Sequence, residues 1–398
     1  MRQQPLAAAI VAIFATAGGP AVGQTLEERV RRLEQENREQ AAAIDQQRRT
    51  IEEQKQQLEG TPQRVEQLED ALATQRGADP GVGAGWFDRI EIAGLIEVEG
   101  SYVDPYEGGS ESDLTLATFE LGLAAQVTDW VEATASLLYE EGETDLEVDL
   151  AQITIANAEV SPVYFTAGQF YLPFGAYETN LVSDPLTLEI GEIRESAAEV
   201  GFVYEGFGGS VYTFQGDNEV DGDTRIDSWG ANLSFAQELD AVSWTVGAGY
   251  ISNLGDSDSL RDTVVDPTDF TGGWTANLAV VFQDFNLIGE YLGAIDEFNA
   301  GELDFDGNGA KPEAWNIELG YSFEVLGKES VAAVAYQGSN EALALELPEE
   351  RWLVGWSIGI FDGTALSFEY SHDSDYSTGK GGTGEEANAF VAQLAVEF

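Results

Sequence analysis

Cysteine is absent from the 398 residues, histidine occurs once, and there are only four lysines. With no cysteine there is no disulfide, no thiolate metal site, no thiol nucleophile and no lipid-anchored cysteine. The single His372 leaves little room for histidine-based hydrolysis or zinc binding. Basic residues number 18 against 72 acidic ones, a formal net charge of −54. That balance excludes nucleic acid as a partner and excludes a basic patch for anionic headgroups. Long apolar runs are missing too. The longest, Leu6–Ala17 behind Arg2, falls short of the roughly 20 residues a spanning helix needs. Followed by Ala21-Val22-Gly23, it reads as a secretory signal over residues 1–23.

What is present changes character along the chain. Leu26, Val30, Leu33, Asn37, Gln40, Ile44, Gln47, Ile51, Gln54 and Leu58 step by four and three, which predicts a periplasmic α-helical coiled coil over 24–76. Residues 26–58 would make a rod of roughly 50 Å at about 1.5 Å per residue. Half of the core positions are polar, so this coil needs help from elsewhere and points to an oligomer, with a homotrimer as the expectation. A Gly-rich linker follows over 77–86. Its Gly81, Gly83 and Gly85 lack the preceding strand that a dinucleotide loop requires.

From residue 87 to the end the period is two. Trp352, Val354, Trp356, Ile358 and Ile360 fall on one face, Arg351, Leu353, Gly355, Ser357 and Gly359 on the other. Sixteen such stretches can be counted, joined alternately by tight turns ("VTDW", "EGFG", "VLGK", "FDG") and long acidic segments (104–113, 173–196, 253–269, 296–311, 372–385). An even strand number with short turns at one end and long loops at the other predicts an all-β fold, a 16-stranded antiparallel transmembrane barrel in the bacterial outer membrane. Closure is what lets strands cross lipid with every backbone group paired. The last stretch, "NAFVAQLAVEF", alternates to the final Phe398. It resembles the assembly signal of outer-membrane proteins, which implies the lipid bilayer and the barrel-assembly machinery as partners.

Chemistry is expected in the third loop, "AYETNLVSDPLTLEIGEIRESA". Leu181, Val182, Leu186, Leu188, Ile190 and Ile193 are too apolar for a loop in water. A loop folded back onto the inner wall would bury them and narrow the passage. Candidate constriction residues are Gln169, Tyr171, Glu178, Asn180, Asp184, Glu189, Glu192 and Arg194. Arg194, the sole basic residue between Arg89 and Arg225, stands in sequence among Glu189, Glu192 and Glu195. It either neutralises carboxylates that anchor the loop or offers a positive contact to a carboxylate-bearing solute. "DFDGNG" (304–309) matches the start of a calcium loop through Asp304, Asp306 and Asn308 but lacks the closing Glu. An ordinary acidic turn is the competing reading.

The stretches "GQFYLPFG" (168–175) and "ETNLVSDPLTLEIGEIRE" (178–195) resemble the LbtU-type siderophore porins, the legiobactin receptor family. The resemblance implies uptake of a ferric siderophore across the outer membrane, without a cofactor and without catalysis. No plug-sized globular segment precedes the barrel, so passage would be channel-like. Charge argues the other way for anionic complexes: residues 81–398 hold 8 Lys and Arg against 59 Asp and Glu. The alternatives are a general cation-selective porin for small hydrophilic solutes, a barrel that only ties the envelope together through its stalk, and, for the acidity itself, adaptation to salt.

Overall fold

The computed structural model describes residues 89–218, 220, 225–264 and 267–398. The expected signal, coiled coil and linker lie outside the described residues. Strands form where the alternation predicts them: β1 (Ile90–Asp104), β2 (Glu111–Thr128), β3 (Val131–Glu140), β4 (Thr144–Ile155), β5 (Val163–Tyr171), β6 (Arg194–Tyr204), β7 (Phe207–Phe214) and β8 (Ser228–Leu239). They continue as β9 (Val242–Ile251), β10 (Gly273–Phe282), β11 (Phe285–Ala294), then a small hairpin β12 (Asp304–Phe305) and β13 (Asn308–Gly309). The wall is completed by β14 (Glu313–Val325), β15 (Lys328–Asn340), β16 (Glu350–Phe361), β17 (Thr364–Ser374) and β18 (Glu386–Glu397).

Every wall strand pairs antiparallel with its neighbour in the chain, β11 passes to β14 across the small hairpin, and β18 closes on β1. The result is a closed barrel of sixteen strands. Tight turns gather at one end. Glu205-Gly206 and Leu326-Gly327 both have positive φ at the two central positions, as a two-residue hairpin turn requires. At the other end lie the long connections, of which the second, 141–143, is only three residues.

Alternation separates two faces. Large apolar side chains such as Ile92, Val211, Leu233, Val246 and Val354 are exposed on the outside. Aromatic residues cluster toward both ends of that outer surface. Trp229–Tyr250, Trp274–Tyr291 and Tyr336–Trp352 pair in tilted contact at the long-loop end, and Phe207–Phe235 and Phe285–Tyr321 at the short-turn end. On β10 the belts are marked by Trp274 and Phe282, about 26 Å apart along the strand at roughly 3.3 Å per residue. That spacing suits the apolar slab of an outer membrane.

The seam shows what the terminal Phe398 does locally. Its backbone N–H donates to the Gly94 carbonyl at 3.0 Å, and its carbonyl accepts from Gly94 N–H at 2.8 Å. Its ring lies where a side chain on residue 94 would stand, so glycine there makes the room. Inside the barrel, Gln393 of β18 donates to Glu99 of β1 at 2.8 Å. The closing pair is thus bonded on backbone and lumen side alike.

Two sequence expectations change. The third loop is shorter than 173–196: Tyr171 pairs with Arg194, and Leu172 N–H donates to the Ile193 carbonyl at 2.8 Å, so β6 starts at Arg194. His372, expected in the last loop, lies in β17, with Nδ1 at 3.0 Å from Asn388 Oδ1.

Candidate functional site

Loop 172–193 leaves β5 and runs along the inner wall. Pro173, which lacks an N–H, ends the pairing, and its carbonyl accepts from Asn232 Nδ2 of β8 at 3.0 Å. The Phe174 carbonyl rests against Gly249 of β9, where a Cβ would collide. Three wall glutamates then take the loop in succession. Glu290 of β11 accepts from the N–H groups of Ala176 (2.8 Å) and Tyr177 (3.0 Å). Glu318 of β14 accepts from Thr179 Oγ1 (2.7 Å), Asn180 N–H (2.8 Å) and Asn180 Nδ2 (2.5 Å). Glu369 of β17 accepts from Val182 N–H (2.7 Å), Ser183 N–H (3.2 Å) and Ser183 Oγ (2.5 Å). Each carboxylate is captured by charge-assisted bonds that compensate its burial. The contacts advance three residues at a time, carrying the loop from β5 to β17.

The return limb is apolar. Pro185 precedes a short helix, Leu186–Gly191, whose first N–H donates to Gln337 Oε1 of β15 at 3.2 Å. Leu186, Ile190 and Ile193 are fully buried, in one cluster with Phe214, Leu254, Leu260 and Leu292. Their burial meets the expectation for this segment. Leu181, Val182 and Leu188 are half-buried. Tyr177, at φ 52°, lies against both Gly175 and Gly191, whose missing side chains leave the space for its ring. It joins the outgoing and returning limbs. Thr187 Oγ1 adds a third donor to Glu290 at 3.0 Å.

The candidate residues separate into groups. Asn180 belongs to the loop's seat on Glu318, and also exchanges amide hydrogen bonds with Asn286. Glu178 and Asp184 are exposed, Glu189 and Glu192 half-buried. Although Asp184 has surface open to solvent, the protein packed around it withholds bulk water and raises it above the ordinary carboxylate range, and the charges of Glu140, Glu97, Glu143 and Glu369 push the same way. Glu189 is raised by burial and by Asp184, partly offset by Arg351. Glu192 is pushed up to about 7 by burial, then by Asp258, Asp184, Asp149 and Glu189. Three loop carboxylates therefore feel one another and the acidic wall opposite.

Gln169, Tyr171 and Arg194 form a second group, at the root of the loop rather than in its seat. By alternation they share the face of Phe165 and Val200, which is the outer one. Gln169 Nε2 donates to the carbonyls of Val148 (2.9 Å) and Asp149 (3.0 Å), beside an irregularity in the β3–β4 register. Tyr171 donates to Asp149 Oδ1 at 2.8 Å. Arg194 pairs with Glu147 (2.5 Å) and Asp149 (2.9 Å) of β4, not with its sequence neighbours Glu189, Glu192 and Glu195. The inward arginine is Arg351 of β16, and its guanidinium is held by both oxygens of Asp373 at 2.9 Å each. Its side was readable in the alternation of β16, opposite Trp352 and Val354.

The calcium candidate forms a tight hairpin. Asp304, Asp306 and Asn308 lie in the β12–β13 hairpin, with Asp306 and Gly307 at φ 53° and 79°. Asp-Gly is the usual chemistry of that turn. Asn308 Nδ2 donates to the Asp306 carbonyl at 3.3 Å, so the amide is used within the turn. Among the described residues no group of three or more His, Asp or Glu is placed to hold a metal ion.

A closed barrel of sixteen strands, with its third long-end loop laid across the inner wall, decides the comparison. The fold is that of an outer-membrane porin. The channel DcaP of Acinetobacter baumannii matches 78% of this chain and 97% of its own, at TM-score 0.54 and 14% identity. OprB of Pseudomonas putida matches 78% and 95%, at 0.56 and 10%. Salmonella typhi OmpF, solved with daunomycin, matches 78% and 97%, at 0.54 and 12%. No protein-family model matches the sequence. In sequence the chain is similar to a UPF0422 protein of Legionella pneumophila (strain Philadelphia 1), 30% identical over 354 residues, 78% of this chain. A UPF0422 protein of Coxiella burnetii is 28% identical over 336 residues, 78% of this chain and 72% of that one. The chain spans 66% of the length of the Legionella relative.

Proposed function

We propose that the protein is a passive outer-membrane porin whose passage is narrowed by loop 172–193 and favours cations. The observation that carries this reading is the loop's position: it is bonded across the inner wall to Glu290, Glu318 and Glu369. Asp184, Glu189 and Glu192 share the field of the wall carboxylates, while Arg194 and Arg351 are spent on ion pairs. A solute in the constriction meets carboxylates first.

Ferric siderophore uptake is the finer reading, supported by the resemblance of residues 168–195. The acidic constriction restricts it to neutral or cationic ferric complexes. The rest of the proposal is the exported chain with a periplasmic coiled coil over 24–76, assembly machinery that reads the strand ending in Phe398, and a homotrimer.

Planar-bilayer recording of the refolded protein tests the function. Stepwise current with cations more permeant than anions is expected. The preference is expected to strengthen from pH about 6 to about 8, because Glu192 is neutral below about 7 and charged above it. The sign for stability is opposite. A carboxyl raised in the folded state favours the protonated form, so its contribution is full below its ordinary range and is lost as pH rises through about 7. Block of the current by a neutral or cationic ferric siderophore, and not by its iron-free form, supports the finer reading. Steady current without such block leaves a general porin. No current at all would favour a purely structural barrel.

A further inference from the structure

Of the three wall glutamates, Glu369 differs in where it holds the loop. Glu290 binds the base, close to Tyr177 and the buried helix, and also receives Thr187 and Thr275 hydroxyls. Glu318 binds the middle, reinforced by the Asn180–Asn286 amide pair. Glu369 binds the far tip through Val182 and Ser183. Around it the loop's own apolar anchors are thin: Leu181 and Val182 are half-buried, whereas Leu186 and Ile190 are fully buried. The next residue, Asp184, is exposed and lies in the fields of Glu369, Glu140 and Glu97. Like charges thus surround the tip at the place where hydrogen bonds to one carboxylate hold it on.

We propose that Glu369 is a positioning residue, a latch that holds the tip of the third loop on β17 and thereby sets the channel aperture. The proposal rests on the reading of the barrel as a channel. With the latch closed, both carboxylate oxygens are occupied by donors from Ser183, and Val182 N–H binds one of them. With it open, Val182 and Ser183 turn to lumen water and the tip moves into the passage, tethered on one side by Glu318 and on the other by the buried helix that begins at Leu186. Glu369 itself does not need to touch a permeating solute, since it is buried beneath the loop.

Glu369→Gln is the direct test. Glutamine keeps the size but presents N–H donors to the N–H groups it should accept from, so part of the latch is lost. Expected are a change of about twofold in single-channel conductance and frequent switching between levels. Ser183→Ala, which removes only the hydroxyl donor, should give a smaller change in the same sense. A second readout does not depend on current. Leu181 Cδ2 lies 2.5 Å from where a Cβ on Gly355 of β16 would sit. The chain has no cysteine of its own. The pair Leu181→Cys and Gly355→Cys should therefore crosslink the tip, faster with Glu369 intact than in the E369Q background. The crosslink should also quiet the switching in E369Q until reductant is added. Equal crosslinking rates and unchanged conductance in folded E369Q overturn the latch. A parent protein without current, but with a crosslinking rate that falls on Glu369→Gln, overturns the channel reading and leaves the latch standing.

Discussion

Replacing residues 176–190 by a short Gly-Ser link is expected to raise single-channel conductance several-fold. The barrel should survive the change, because none of its sixteen strand pairings runs through the loop. What is lost is local. Leu186 and Ile190 leave an apolar cluster, at about 1.5–3 kcal/mol for each buried side chain. Glu290, Glu318 and Glu369 lose their donors, but they regain water as the lumen opens, so they are not stranded in a dry site. The deletion removes three negative charges, Glu178, Asp184 and Glu189, and uncovers the carboxylates of three wall glutamates that the loop had covered. Conductance should therefore rise steeply while cation preference weakens, through the lost charges and the wider bore alike, without vanishing. Conductance measured on a truncated protein that still shows heat-modifiable mobility decides the matter. A value equal to the parent's would mean that the narrowest point lies elsewhere.

The fold was legible because lipid and the closed sheet impose a period of two on every strand. Trp352, Val354 and Trp356 show it in β16, and Phe390 and Leu394 in β18, so the strands could be placed to within a few residues. The third loop was legible for the same reason in reverse: Leu186, Ile190 and Ile193 have no business in an exposed loop, and they are buried. Its seat was not legible. Glu290, Glu318 and Glu369 read in sequence as ordinary lumen-facing carboxylates, and nothing local distinguishes a glutamate in water from one that holds backbone N–H groups 113 to 187 residues away. Arg194 misled because sequence proximity to Glu189, Glu192 and Glu195 was taken for spatial proximity. In a strand, residue 194 belongs with its partners across the ladder, and Glu147 and Asp149 are two strands away. "DFDGNG" left two readings open because glycine and acidic residues serve a two-residue hairpin as well as a calcium loop, and the chain forms the hairpin.

Neutralising the loop acids together, as Asp184→Asn, Glu189→Gln and Glu192→Gln, is expected to lower the cation-to-anion permeability ratio by roughly an order of magnitude at low salt. A unit charge at about 4 Å from a passing ion contributes about 1 kcal/mol even at the permittivity of bulk water, and more in a confined passage. Two or three such groups acting on one ion therefore suffice for a tenfold effect. Burial and mutual repulsion hold Glu192 partly protonated near neutrality, so its share should appear mainly above pH about 7, and the parent and the triple variant should converge as the pH falls. Selectivity should weaken rather than reverse, because Glu97, Glu140 and Glu369 remain on the wall and Glu143 in the connection 141–143. Salt provides the control. With a Debye length of about 10 Å at 0.1 M and about 3 Å at 1 M, the difference between the two proteins should shrink in concentrated salt. A loss of conductance without a change of ratio would mean that the substitutions moved the loop, not the field. An unchanged ratio at low salt would take the constriction away from these three residues and return it to the wall. The same variant separates the passengers: if an anionic ferric complex blocks the triple variant but not the parent, the acids act as a filter against it, and the neutral or cationic complex is the one the parent admits.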